Sequence, residues 1–215
     1  MSYVWWQVCL TIFISYMCGN ISFARMISKY KNKDITKLGS GNPGATNILR
    51  NYGLKFGVLN LVLDMLKAFV PAMVSFYVFD NSFVMLYVAG VSSMIGHIFP
   101  VLLKFKGGKG ISSMMGIFMA ANPVATLIAV VIGTIVWATF EYGSVVSFFC
   151  ITFLSVVEGL RMRSWLATFD SNIICIILFS IFAFTWYAHR KNIERLFEHK
   201  EKKAPLIKKK KVKVG

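Results

Sequence analysis

Acidic residues are scarce in this chain. Only 9 Asp and Glu stand against 24 Lys and Arg among 215 residues, and charged residues of both signs reach only 15%. Soluble domains carry about 25%, so this deficit argues against a large soluble domain. Cysteine is scarce as well. Cys9, Cys18, Cys150 and Cys175 all fall inside apolar runs, with no C-x-x-C pair and no Cys/His cluster. That argues against a disulfide framework and against a metal site. The apolar runs lack the strict alternation of barrel strands, so helices must satisfy the backbone in lipid. No A-x-A-like cleavage site follows the first run, and it is expected to stay as an anchor. Paired internal repeats, the mark of many transporters, are also missing.

What the chain does have is 56% hydrophobic residues, gathered into runs near the ~20 residues that a bilayer crossing needs. They cover 3–23, 54–79, 83–103, 124–140, 145–160 and 171–187, with 111–121 apolar but short for a full crossing. Counting that short run predicts an all-α integral membrane protein: a seven-transmembrane-helix bundle, N-terminus outside and C-terminus cytoplasmic. Residues 1–198 make the membrane domain. Residues 199–215 read as a basic, disordered cytoplasmic tail attracted to anionic lipid. Tyr3, Trp5 and Trp6 are placed like an interface belt.

The formal charge of +15 is unevenly spread. Arg25, Lys29, Lys31, Lys33, Lys37 and Arg50 fall in one loop and Lys104, Lys106 and Lys109 in another. Arg190, Lys191, Arg195 and 8 further lysines follow the last run. The outer links carry only Arg161 and Arg163 as basic residues, so the positive-inside rule agrees with the crossing count. Topology therefore accounts for most of the charge without nucleic acid as a partner. The polar stretches converge on the cytoplasmic face.

Lys104-Phe105-Lys106-Gly107-Gly108-Lys109-Gly110 sets three lysines and three glycines between two apolar runs. Glycines let backbone N–H groups approach an anion, lysines add charge, and a helix starting at Ile111 would aim its positive end at the loop. The local pattern leaves a phosphate cradle and a basic loop that only fixes topology level with each other. It is not a Walker A motif, because Leu103 stands where that pattern wants glycine. In the first loop, Asn42 before Pro43 reads as a helix N-cap, with Gly53 as the helix end. Thr46, Asn47 and Arg50 would share a side of that helix, beside Ser40, and Arg50 could grip a phosphate bidentately. Ser144 and Ser147 are three apart, able to bond a ligand or back to their own helix. Asp64 and Lys67, at i and i+3 inside a span, are expected to pair and to act structurally. Glu158 needs no special account.

Several stretches resemble one family. Ser40-Gly41-Asn42-Pro43-Gly44-Ala45-Thr46-Asn47-Ile48-Leu49-Arg50 looks like its first motif. Gly96-His97-Ile98-Phe99-Pro100, running on to Gly110, looks like its second, and Tyr142-Gly143-Ser144-Val145-Val146-Ser147 like its third. His189-Arg190-Lys191-Asn192-Ile193-Glu194-Arg195-Leu196 resembles its C-terminal signature. The chain is similar over residues 1–198 to the bacterial acyl-phosphate:glycerol-3-phosphate acyltransferases, the PlsY family. It departs from them at Glu141 and in the lysine-rich run after Lys200.

The resemblance implies a seven-helix inner-membrane enzyme with its site facing the cytoplasm. It implies transfer of an acyl group from acyl phosphate to glycerol 3-phosphate, giving lysophosphatidate and phosphate, with no metal or organic cofactor. Ser40, Arg50, His97, Lys104 and Ser144 are then expected at the reacting groups. Asn42, Asn47, His189 and Asn192 are expected to bind substrate, with Gly107, Gly108, Lys109 and Gly110 forming a phosphate loop. Two phosphates need two cationic sites, and the sequence leaves open which phosphate takes which. The base is His97, His189 or a phosphate oxygen. A membrane transporter of an organic phosphate is the alternative from a different class, and a lipid-binding scaffold is a third. The other expected partner is membrane lipid; oligomeric state stays open.

Overall fold

A computed structural model describes residues 4–165 and 169–205, apart from the side chains of 163–165 and 169, and the described residues fold into ten α-helices. These are α1 (Trp5–Gly19), α2 (Phe23–Tyr30), α3 (Ala45–Tyr52), α4 (Leu54–Val78) and α5 (Phe83–Ile98). They continue as α6 (Ile111–Ala121), α7 (Pro123–Phe140), α8 (Gly143–Trp165), α9 (Phe169–Ala188) and α10 (Arg190–Phe197). Six segments are long and apolar enough to cross a membrane: Trp5–Tyr30, Leu54–Val78, Phe83–Leu103, Pro123–Phe140, Gly143–Met162 and Asp170–Ala188. Helix α6 is the shorter apolar one. Tyr3, the link 166–168 and the lysine-rich end 206–215 lie outside the described residues.

The first run breaks in two. Asn20 caps α1, and the chain restarts as α2, whose Ala24 and Ile27 are buried while Lys29 stays out. Ala24 and Ile27 pack with Ile35 and Ile48 into a small core beneath the first loop, separate from the main core. Helix α1 lies backbone-to-backbone on α5. A Cβ at Gly19 would sit 2.0 Å from Ser93 O, and one at Gly96 would sit 2.2 Å from Tyr16 O. Small residues at a crossing are how membrane helices gain close packing where lipid offers no hydrophobic drive.

The main core surrounds α6, which is buried on nearly every side: Met114, Ile117 and Phe118 are fully enclosed, with Tyr87 and Met94 of α5 and Leu154 of α8 against them. Gly110, with φ +86°, turns the chain into this helix in a conformation that L side chains resist. At its other end Arg161 Nη2 donates to Ala121 O at 3.0 Å, satisfying one orphan carbonyl with a charge. Glu158 anchors that arginine and is a buried hub that no local pattern marks. It accepts from Tyr87 Oη at 2.5 Å and from Asn122 Nδ2 at 3.1 Å. Asn122 also caps α7 by accepting from Ala125 N at 3.1 Å, with Pro123 at the first helical position.

Candidate active site

The polar site forms where α4, α7 and α8 and the loops flanking α3 and α6 come together with the C-terminal segment. Asn47 of α3 organises the first loop. Its Nδ2 donates to Leu38 O at 2.9 Å and to Asn42 O at 3.1 Å, while its Oδ1 accepts from Ser40 N at 3.1 Å and Asn51 Nδ2 at 3.2 Å. Buried and holding these bonds, Asn47 shapes the loop while also lining the first cavity described below. The helix cap is also corrected. Gly44, two residues after Asn42, caps α3, and Gly53 ends it as expected. Asn42 is left as part of the site wall, beside Ser40.

The glycine loop packs onto the end of α5. Gly108 N donates to His97 O at 3.0 Å, so that N–H serves the fold rather than a ligand. A Cβ at Gly107 would stand 2.1 Å from His97 O. Close approach to α5, more than exposure of N–H groups, is what these glycines permit. Lys104 is corrected too. It ends the turn Val101–Leu103 with φ +53°, is exposed, and lines neither of the two cavities described below. Arg25 Nη2 instead ties the loop down through Lys106 O at 2.9 Å.

Two cavities meet here. The first, about 280 Å³, has a polar end with Ser40, Arg50, Lys109, Ser144, His189 and Asn192. Its apolar wall continues past Val58, Leu61, Met115, Ala129, Val130 and Trp137. Leu54, Val58 and Val130 line it yet are exposed, so it opens sideways between α4 and α7. The second, about 560 Å³, is lined by Arg25, Lys106, Gly107, Lys109, Arg190 and Arg195 among others. Ser40, Asn42, Lys109 and Asn192 belong to both. Cys150 also borders the first cavity, deep on its apolar side against Ala129 and Gly133. Among the described residues no group of three His, Cys, Asp or Glu is gathered as a metal would need.

The C-terminal segment is the main surprise. Residues 200–205, expected in the loose tail, fold back over the site. Trp137 Nε1 donates to Ala204 O at 2.7 Å, and Arg50 donates to Lys203 O at 3.2 Å and Lys202 O at 2.5 Å. Glu201 enters the site: its Oε1 accepts from Asn192 Nδ2 at 2.7 Å and Ser144 Oγ at 3.2 Å, and its Oε2 from Arg195 Nε at 2.7 Å. A lone acid between Lys200 and Lys202 was the only trace of it in the sequence. Ser147 bonds back to Gly143 O at 2.8 Å.

These contacts set the charges. Burial, together with the Arg195 and Arg50 charges, brings Lys109 down to about 8, with Glu201 holding it up. Burial and the Lys109 charge bring His189 down to about 4, against the pull of its bond to Thr185 O at 2.8 Å. His189 is therefore neutral, and with Nδ1 donating to that carbonyl its Nε2 keeps a lone pair. Burial works against the Glu201 carboxylate, but hydrogen bonds from Arg195, Asn192 and Ser144 outweigh it and hold its pKa below the ordinary value.

A cationic cleft joined to a lipid-facing apolar cavity at the end of a helical bundle suits a lipid-modifying enzyme. The profile of a family described as glycerol-3-phosphate acyltransferase matches residues 9–199. The chain belongs to that family. A glycerol-3-phosphate acyltransferase of Endomicrobium trichonymphae is 37% identical over 202 residues, covering 94% of this chain and 98% of the relative. One of Aquifex aeolicus (strain VF5) is 33% identical over 192 residues, covering 88% and 95%. Among solved structures, PlsY (YgiH), an integral membrane glycerol 3-phosphate acyltransferase, superposes in its glycerol 3-phosphate form with TM-score 0.82 and 31% identity. That match covers 92% of this chain and 95% of PlsY. Its lysophosphatidic acid form gives 0.81 and 30% with the same coverage. The bundle of this acyltransferase is thus that of a multi-pass membrane protein.

Proposed function

We propose that this acyltransferase takes its acyl group from an acyl phosphate and passes it directly to glycerol 3-phosphate at a site facing the cytoplasm of the inner membrane. Acyl transfer to glycerol 3-phosphate at the start of phospholipid synthesis comes with the family. The donor, the site assignment and the orientation are the proposal. One observation carries it: two cavities of opposite character share the wall of Ser40, Asn42, Lys109 and Asn192. The apolar cavity fits the donor, whose chain must stay in lipid. Its wall on α7 runs from Trp137 to Ala129, ~12 Å at the helical rise. The open cationic cleft fits the water-soluble acceptor.

The acceptor hydroxyl oxygen bonds to the acyl carbon, the carbon–oxygen bond to phosphate breaks, and inorganic phosphate leaves. Arg50, Lys109 and Arg195 neutralise the phosphates, so orientation and charge supply most of the catalysis. The hydroxyl proton goes to a phosphate oxygen. A phosphate with second pKa ~6 is the stronger base beside His189 near 4. His189 Nε2 then orients the hydroxyl as a hydrogen-bond acceptor. Seven crossings are supported by where helix ends meet. The α6 start lies beside His97 at the site and its end beside Arg161 at the far side, so α6 serves as the fourth crossing despite its length. That count places the N-terminus outside and the C-terminus inside.

The test is phosphate release by purified protein in lipid, requiring both acyl phosphate and glycerol 3-phosphate. Release without the acceptor, or acyl-enzyme trapped with donor alone, would overturn direct transfer. Vesicle uptake of glycerol phosphate without phosphate release would favour the transporter.

A further inference from the structure

Lys67 lies within α4, buried together with Asn60, Asp64 and His97. Its ammonium meets three acceptors: Ile21 O at 2.7 Å, Asp64 Oδ1 at 2.7 Å and His97 Nδ1 at 2.7 Å. An ammonium has three N–H bonds and no lone pair. With no lone pair to offer, the ammonium can only donate, so His97 Nδ1 has to be the accepting nitrogen. A neutral imidazole accepting at Nδ1 carries its proton on Nε2. The arrangement is braced from behind: Asn60 Nδ2 donates to Asp64 Oδ2 at 2.8 Å, and Ser93 Oγ donates to Lys67 O at 2.8 Å.

Nε2 faces the opposite way. It has no hydrogen-bond partner among the described residues, and it stands over Gly108, where a Cβ would come within 2.1 Å of it. His97 borders the first cavity. Charged groups inside a membrane helix are costly and mark function. Asp64 and Lys67 could satisfy each other without the imidazole, so the bond to His97 is the part a purely structural pair does not need.

We propose that Lys67 is a positioning residue. By occupying His97 Nδ1 it holds the imidazole as an Nε2–H donor aimed at the head group of the acyl donor, where the first cavity meets the glycine loop. His97 then gives a neutral hydrogen bond to a donor oxygen and takes up no proton, which removes it as the general base. The tautomer follows from the fold; its use in catalysis rests on the acyl-transfer reading above.

Nitrogen-15 NMR of histidine-labelled full-length protein in detergent reads the tautomer with no substrate present, and His97→Gln assigns the signal. The wild type is expected to give the Nε2–H form, and Lys67→Met a mixture of both tautomers. In turnover, Lys67→Met is expected to lose roughly tenfold in kcat with KM for glycerol 3-phosphate little changed. His97→Gln, which keeps an N–H donor near the Nε2 position, should stay within about tenfold of wild type, while His97→Ala falls roughly a hundredfold. Should Lys67→Met fail to fold around an unpaired Asp64, the Asp64→Asn/Lys67→Met double variant carries the same tautomer prediction. An Nδ1–H signal in the wild type, or His97→Gln as inactive as His97→Ala, overturns the proposal while normal wild-type turnover leaves the acyl-transfer reading intact. An Nε2–H wild type without acyl transfer refutes that reading and the donor role with it.

Discussion

Lys109 and Asn192, 83 residues apart in the chain, join side chain to side chain on the wall common to both cavities. The bond ties the glycine loop to α10. It also sets a lysine held near 8 on the wall where the two proposed reactants would meet. Below that pH Lys109 is charged and would grip phosphate in the proposed site; above it the ammonium is lost. The free-enzyme profile of kcat/KM is therefore expected to fall as the pH rises through about 8. A bound phosphate stabilises the ammonium and shifts the kcat limb upward. Lys109→Ala should lower kcat/KM by roughly 10–100-fold, the worth of a charge-assisted hydrogen bond, and erase that alkaline limb. A mutant profile parallel to wild type would rule Lys109 out as its origin.

Arg50 faces the first cavity while its guanidinium holds the carbonyls of Lys202 and Lys203. Arg50→Ala should cut kcat/KM about a hundredfold and also expose the chain near Lys202 to trypsin. Arg50→Lys should rescue little, because a point charge cannot span two acceptors as a planar fork does. Kinetics and limited proteolysis on the same samples separate the two roles.

Glu201 gathers Ser144, Asn192 and Arg195, so Glu201→Ala removes their common acceptor. The variant should lose roughly 1–3 kcal/mol of stability. Because the folded state holds this carboxylate below its ordinary pKa, its contribution is complete above the ordinary value and disappears as the pH falls through the folded one. The stability gap between wild type and Glu201→Ala, read from Tm, should accordingly close in acid. A gap that persists at low pH would mean the carboxylate charge is not its source.

Two glycines give opposite expectations. At Gly108 an added Cβ would collide with the His97 ring, so Gly108→Ala should displace the imidazole and reduce turnover at least tenfold. At Gly53 there is open space but φ is +88°, so Gly53→Ala should cost about 1 kcal/mol in backbone strain and little activity. Thermal melts and turnover of the two variants check this directly.

The membrane class, the apolar helices and the cationic end of the bundle were legible in the sequence because bilayer crossing imposes length and hydropathy on a continuous stretch. The start of α6 at Ile111 was legible for a related reason: the glycines before it act locally. The Asp64–Lys67 pair was foreseen from helical spacing and stands at 2.7 Å. The third partner, His97, was not, because it arrives from another helix. Asn47 was assigned to binding and Lys104 to the reacting groups from local motifs alone. Their true surroundings depend on which carbonyls the folded loops bring to Asn47 and on the left-handed turn that carries Lys104 away.

What the sequence by itself determined is which segments enter lipid and which polar residues stay at their ends, since both follow from the transfer energies of neighbouring residues along one helix. Only the tertiary structure decided that Glu201 closes back on Ser144, Asn192 and Arg195, and that Lys67 donates to His97. Those contacts join residues with no shared local pattern. Their energy comes from satisfying buried polar groups, and which groups become buried together is set only when the helices pack.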